Sequence, residues 1–172
     1  MNTRRIATTL SFALMATTIS LSAHAGGARF HHENSAGGIT AGATHAGTNA
    51  DGSFANGHGV VTDGSGDSAA ASGGKISTAT GSAERAGKTT FAADGSVNHA
   101  SGFSASGTQG SVNSQGSATK SADGSITQSR NTEATAANGT SYQGTTGYNK
   151  NTGVTHTGTC TNAGGEAVSC PH

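Results

Sequence analysis

Two cysteines, Cys160 and Cys170, are the residues of this chain best placed to form a covalent bond. They flank Ala163-Gly164-Gly165-Glu166 and lie symmetrically about Gly165, so a hairpin turning at Gly164 and Gly165 sets them opposite each other at bridging distance. In an oxidising compartment the expected product is a disulfide. Closing so short a loop removes chain entropy from the unfolded state worth about 2.8 kcal/mol. We read the pair as a clip on the C-terminal segment, 160–172, that guards the end of the fold against fraying or further strand addition. The spacing is too long for a Cys-x-x-Cys metal or redox motif.

Histidines beyond residue 25 stand at His31, His32, His45, His58, His99, His156 and His172. The set His31-His32-Glu33 is the densest in metal-ligating types, and neutral imidazole suits zinc, copper or nickel. No further ligands at zinc spacing accompany it, so solvated polar residues are the stronger reading. Serines are plentiful, yet none sits in a Gly-x-Ser-x-Gly elbow between an apolar strand and a helix, and the Asp residues fall largely in turn contexts. Catalysis needs a preorganised, partly desolvated pocket, which a chain so poor in apolar volume has little to wall off. The sequence points away from an enzyme and calls for no cofactor. Thr155, Thr157, Thr159 and Thr161 alternate and would form a hydroxyl row on one side of a strand, resembling ice-binding β-solenoids, although an exposed strand of good β-propensity explains them more simply.

The elements that must position these residues are set by composition. Arg4 and Arg5, the apolar and hydroxyl-rich run from Ile6 to Leu21, and Ala23-His24-Ala25 have the layout of a bacterial secretory signal peptide over 1–25. The run is short and interrupted for a membrane span. We therefore expect a secreted chain beginning at Gly26, destined for the periplasm, cell surface or exterior, with no transmembrane anchor. Beyond residue 25 there is no Leu, Met or Trp, and the large apolar residues number 15, from Phe30 to Val168. A thick apolar core is out of reach. Removing Arg4 and Arg5 leaves seven cations against nine carboxylates, so charge repulsion does not force disorder. The same balance gives nucleic acid no basic face to bind.

Nine glycines, Gly38, Gly52, Gly66, Gly81, Gly95, Gly110, Gly124, Gly139 and Gly153, recur at alternating gaps of 14 and 15 residues. Such a period marks one small unit copied along the chain. Asp51-Gly52, Asp94-Gly95, Asp123-Gly124 and Asn138-Gly139 read as two-residue hairpin turns in which both central residues take positive φ. Gly-Ser-large follows at Gly52, Gly95, Gly110 and Gly124, which would line the large residues up on one face. Glycines near the halfway points (Gly59, Gly73, Gly87, Gly102, Gly116) suggest further bends and straight segments of about five to seven residues. Helix is disfavoured by the Gly, Ser, Thr and Asn content.

The fold class is therefore all-β: short strands and hairpins of period 14–15, built as a β-solenoid or an extended meander over 38–159, after a flexible segment at 26–37. Phe54, Phe91, Val97, Phe103, Val112, Ile126, Tyr142 and Tyr148 are expected to form a sparse apolar stripe. The spacing, with Ser111-Val112-Asn113-Ser114-Gln115-Gly116-Ser117, resembles the β-roll heads of trimeric autotransporter adhesins. That family's membrane barrel has no counterpart in this sequence, so the resemblance implies neither anchoring nor a trimer. The expected role is structural or adhesive, at the cell surface or in an extracellular matrix, through strand pairing with itself or other matrix components. The alternatives are a soluble module binding a glycan or host surface, and a disordered exported spacer.

Overall fold

The computed structural model describes residues 25–170. Apart from Ala25, the expected leader lies outside them, as do Pro171 and His172. Eleven strands follow one another: β1 (Gly26–Glu33), β2 (Ile39–Asn49), β3 (Gly52–Thr62), β4 (Ser68–Thr78), β5 (Gly81–Phe91), β6 (Val97–Gly107), β7 (Gly110–Lys120), β8 (Ile126–Ala136), β9 (Ser141–Asn149), β10 (Gly153–Thr161) and β11 (Ala167–Val168). They form a single antiparallel sheet whose strand order is the order of the chain. Of the two arrangements the sequence allows, the protein is the extended meander. The stretch 26–37, expected to be flexible, supplies β1 and most of its turn, and β1 pairs with β2 from Gly26↔Ala46 to Glu33↔Ile39.

One kind of turn recurs at half of the ten hairpins. In residues 92–96 the Ala92 N–H donates to the Ser96 carbonyl and the Gly95 N–H to the Ala92 carbonyl, while Gly95 takes φ 82°. This is a tight turn followed by a left-handed residue, the three-residue hairpin loop with a glycine bulge. The same bonds close 34–38, 121–125, 136–140 and 162–166. The left-handed glycines include Gly52, Gly95, Gly124 and Gly139, but Gly37 replaces Gly38, Gly165 joins the series, and Gly81 is not among them. Among the described residues none other than glycine adopts positive φ. The two-residue turns with positive φ at Asp or Asn are thus corrected: Asp94, Asp123 and Asn138 hold ordinary backbone before the glycine, and Asp51 sits inside the Asn49↔Gly52 closing pair.

Between turns the long strands run 9 or 11 residues, not five to seven. Gly59, Gly73, Gly87, Gly102 and Gly116 all lie inside strands. Pairing on both sides holds these glycines extended, and the missing side chains make room for neighbours. A Cβ on Gly116 would lie 3.1 Å from the Arg130 guanidinium. Each pair of successive 14- and 15-residue gaps is one complete hairpin, so positions 29 residues apart share a level: Ser53, Ser82 and Ser111 fall on one row with Ser77 and Ser106.

A single layer has two wet faces. Among the described residues only Gly47, Ala69, Ser114, Gly144 and Cys160 are buried, and no large side chain is fully so. The Ser114 hydroxyl is satisfied by Thr132 Oγ1 and the Arg130 guanidinium, each at 2.9 Å. Main-chain pairing and cross-strand side-chain contacts, worth roughly 0.2–1 kcal/mol each, take the place of an interior.

Candidate functional site

Partners directly opposite in adjacent strands share a face, and successive residues of a strand alternate between faces. Following the pairs across the sheet sorts the side chains sharply. One row runs Gly47, Phe54, Ile76, Ala83, Ala105, Val112, Ala134, Tyr142, Cys160, Val168. Near the opposite turns, on the same face, Ser68, Phe91, Val97, Lys120 and Ile126 form another. All eight residues expected in the apolar stripe lie on this face. Six of them fall in the two bands near the strand ends, and Phe103 and Tyr148 lie one level inward, so there is no single stripe. Between the bands runs a row containing Arg29, Ala43, His58, Ser72, Gly87, Ser101, Gly116, Arg130, Thr146 and His156.

The reverse face carries mostly Ser, Thr, Asn, Gln, Ala and Gly, with Lys75 opposite Glu84 and with His32, Val61, Lys88 and Glu133 besides. Its contacts are hydroxyl and amide bonds such as Ser141–Thr161 at 2.6 Å and Thr145–Asn131 at 2.8 Å. Thr155, Thr157, Thr159 and Thr161 all belong to this face.

On the apolar face large groups lie flat over glycines. Phe54 covers Gly47, Tyr142 covers Gly144 and Gly158, and the Arg130 guanidinium spans three strands by donating to Ser114 and Ser101. A shallow trough of about 840 Å³ opens among Ala41, Ala43, Ala70, Ser72, Gly87 and their neighbours, where the side chains are small. Phe30 is an exception to the sorting, since it rests on Gly42 on the reverse face.

The second feature is the pair of sheet edges. Among the described residues β1 has a partner on one side only, and β11 engages only Cys160 and Thr161 of β10. Gly153–Thr159 therefore line an open edge. The Asn34 N–H bonds the Gly38 carbonyl and the Asn162 N–H bonds the Glu166 carbonyl. Those closing pairs fix the alternation. Gly27, Arg29, His31 and Glu33 on β1, with Val154, His156 and Gly158 on β10, aim their main-chain N–H and C=O groups away from the sheet. Val154 is 69% exposed.

Strand alternation separates the metal candidates: His31 and Glu33 share the apolar face, while His32 lies on the reverse face. Among the described residues no three His, Cys, Asp or Glu side chains are grouped to hold a metal ion. Cys160 and Cys170 are joined in a disulfide with Cα atoms 5.3 Å apart. The bridge fastens the short final hairpin and leaves most of the β10 edge uncovered.

Sequence reasoning missed Asn34, Asp63 and Asn162, which organise turns from the first loop position. Each side-chain oxygen accepts main-chain N–H groups two and four residues on, as Asp63 does from Ser65 and Asp67. The signal available was an Asn or Asp three residues before a turn glycine. Hydrogen bonding holds three carboxyls below the ordinary aspartate value: Asp63 chiefly through the Ser65 hydroxyl, Asp94 through the Ser96 hydroxyl and then its N–H, and Asp123 through the Ser125 N–H. Comparison with protein-family models, curated proteins and solved structures finds no match to this chain.

Proposed function

We propose that the protein is an exported, non-enzymatic structural or adhesive component of a bacterial surface or extracellular matrix, acting by strand pairing between copies. The observation that carries this reading is the pair of open edges. Odd- and even-numbered strands run in opposite directions, so a copy translated along the sheet presents its β1 antiparallel to β10. The outward-directed residues on both edges carry side chains on the apolar face, and pairing them continues that face without a break. One row runs from His31 through Val60, His99 and Tyr148 to Val154. Continuing it sets His31 of the next copy beside Val154. Addition of this head-to-tail kind does not close on itself and yields open ribbons.

The β10 edge is uncharged from Gly153 to Thr159, without the lysine or proline that blocks edge pairing in many sheets. The disulfide supports an oxidising destination. Sedimentation velocity of the purified protein over a wide concentration range tests the reading. An open series of species growing with concentration is expected, whereas a single monomeric boundary throughout overturns it and favours a soluble binding module.

A further inference from the structure

We infer that the apolar face is covered by the apolar face of a second copy, converting the single layer into a two-layer sheet. This inference rests on the self-association reading for the identity of the occupant, but it uses the face, and the proposed function uses the edges.

The first support is area. Ten strands of 8 to 11 residues, spaced about 4.8 Å apart at about 3.4 Å per residue, give a face of roughly 1,500 Å². A stable interface needs about 800 Å² per partner. The segregation of side chains is the second support. A sheet with one apolar face packs that face against another layer, and no described element supplies one: every described strand is spent within the sheet. Ile76 remains 51% exposed, and Phe54, Phe91, Phe103 and Ile39 are also exposed. Third, the face holds both relief and recess. The trough among Ala41, Ala43, Ala70 and Gly87 is a recess, and the bands containing Phe54, Ile76, Phe91 and Ile126 are relief. A surface bearing both can be its own complement, as a two-fold interface demands.

Cations argue about the same face. It carries Arg29, Arg85, Lys120 and Arg130 against Glu33. Arg29 stands on the β1 edge and Lys120 beside a turn, where long side chains reach water, and Arg130 is hydrogen-bonded flat to Ser101 and Ser114. Arg85, mid-strand opposite Phe103, is the cation a second layer would bury. It separates self-stacking from capture of an anionic partner, because the first is weakened by this charge and the second needs it.

The test uses the full chain carrying His156→Pro, which blocks edge addition at β10, and follows mass by sedimentation equilibrium. A dimer is expected. Ile76→Lys with Phe103→Lys in that background should raise its dissociation constant at least a hundredfold, while Ser104→Lys on the reverse face changes it less than threefold. Arg85→Leu should tighten the dimer at least threefold. A chain that stays monomeric without edge growth, a dimer indifferent to Ile76→Lys with Phe103→Lys, or one loosened by Arg85→Leu overturns the inference. Failure of the edge reading shows differently, as open-ended growth that His156→Pro does not stop.

Discussion

Proline at adjacent positions of β10 should have opposite consequences. The His156 N–H points out of the sheet, so His156→Pro removes no ladder bond within the chain. It costs the two side-chain hydrogen bonds of the imidazole, to Thr146 Oγ1 at 2.8 Å and Tyr142 Oη at 3.4 Å. Both are exposed, and together they contribute about 1 kcal/mol. Thr157, by contrast, pairs with Thr145 on the inward side. Thr157→Pro loses one ladder bond of about 1 kcal/mol and wedges a ring against β9 for a further 1–3 kcal/mol or so, about 2–4 kcal/mol in all. Urea unfolding at low concentration measures these costs, and His156→Ala removes the side-chain share. Sedimentation measures assembly, where the lost donor and the ring facing the incoming strand should weaken His156→Pro association at least tenfold, or about 1.4 kcal/mol. If His156→Pro destabilises the chain as much as Thr157→Pro does, or assembles as well as the parent, the assignment of outward groups is wrong.

The turn glycines differ in what a methyl group would meet. Gly95→Ala finds no atom within 4 Å and should cost only the left-handed backbone penalty, about 1–2 kcal/mol, in thermal or urea unfolding. Gly139→Ala also places its Cβ 2.8 Å from the Ala163 Cβ, so it should cost more. Cys160→Ser with Cys170→Ser should release the β11 hairpin, lowering stability by up to about 2.8 kcal/mol, with hydrogen exchange accelerated at residues 160–168 and little changed in β3–β8. The lowered values of Asp63, Asp94 and Asp123 mean that their ionised forms favour the folded turns above pH 3.8. This contribution is lost as the pH falls through the lowered folded values. Acid unfolding of Asp63→Asn with Asp94→Asn and Asp123→Asn should therefore be less steep below that pH than in the parent.

Strand identity was legible because Gly, Ser and Thr exclude helix and the marked glycines keep their spacing across the chain. The cysteine pair was legible from its symmetry about Gly165. The halfway glycines misled: Gly73 and Gly116 look like bends, but paired neighbours hold them straight and a glycine spacing cannot distinguish a corner from a vacancy. The turn type was hidden for a related reason. Asp94-Gly95 suits either a two-residue turn with both φ positive or a three-residue loop with only the glycine left-handed, and the strand register selects the latter. Face assignment was within reach. Counting by twos from the turn glycines places Phe54, Val112 and Ile126 on one side, and the same count carried to His58, Arg85 and Arg130 puts them beside those residues. The open β10 edge was not legible, because the reach of the final hairpin depends on where β11 stops pairing.

Cross-linking between copies addresses the central claim, that β10 of one chain receives β1 of the next. Chains carrying His31→Cys are mixed with chains carrying Val154→Cys, oxidised mildly, and the linkage is mapped by mass spectrometry with the Cys160–Cys170 bridge intact. The account predicts that residue 31 of one copy joins residue 154 of another. Linkage of like chains alone, or sedimenting assemblies without any 31–154 bond, would contradict it.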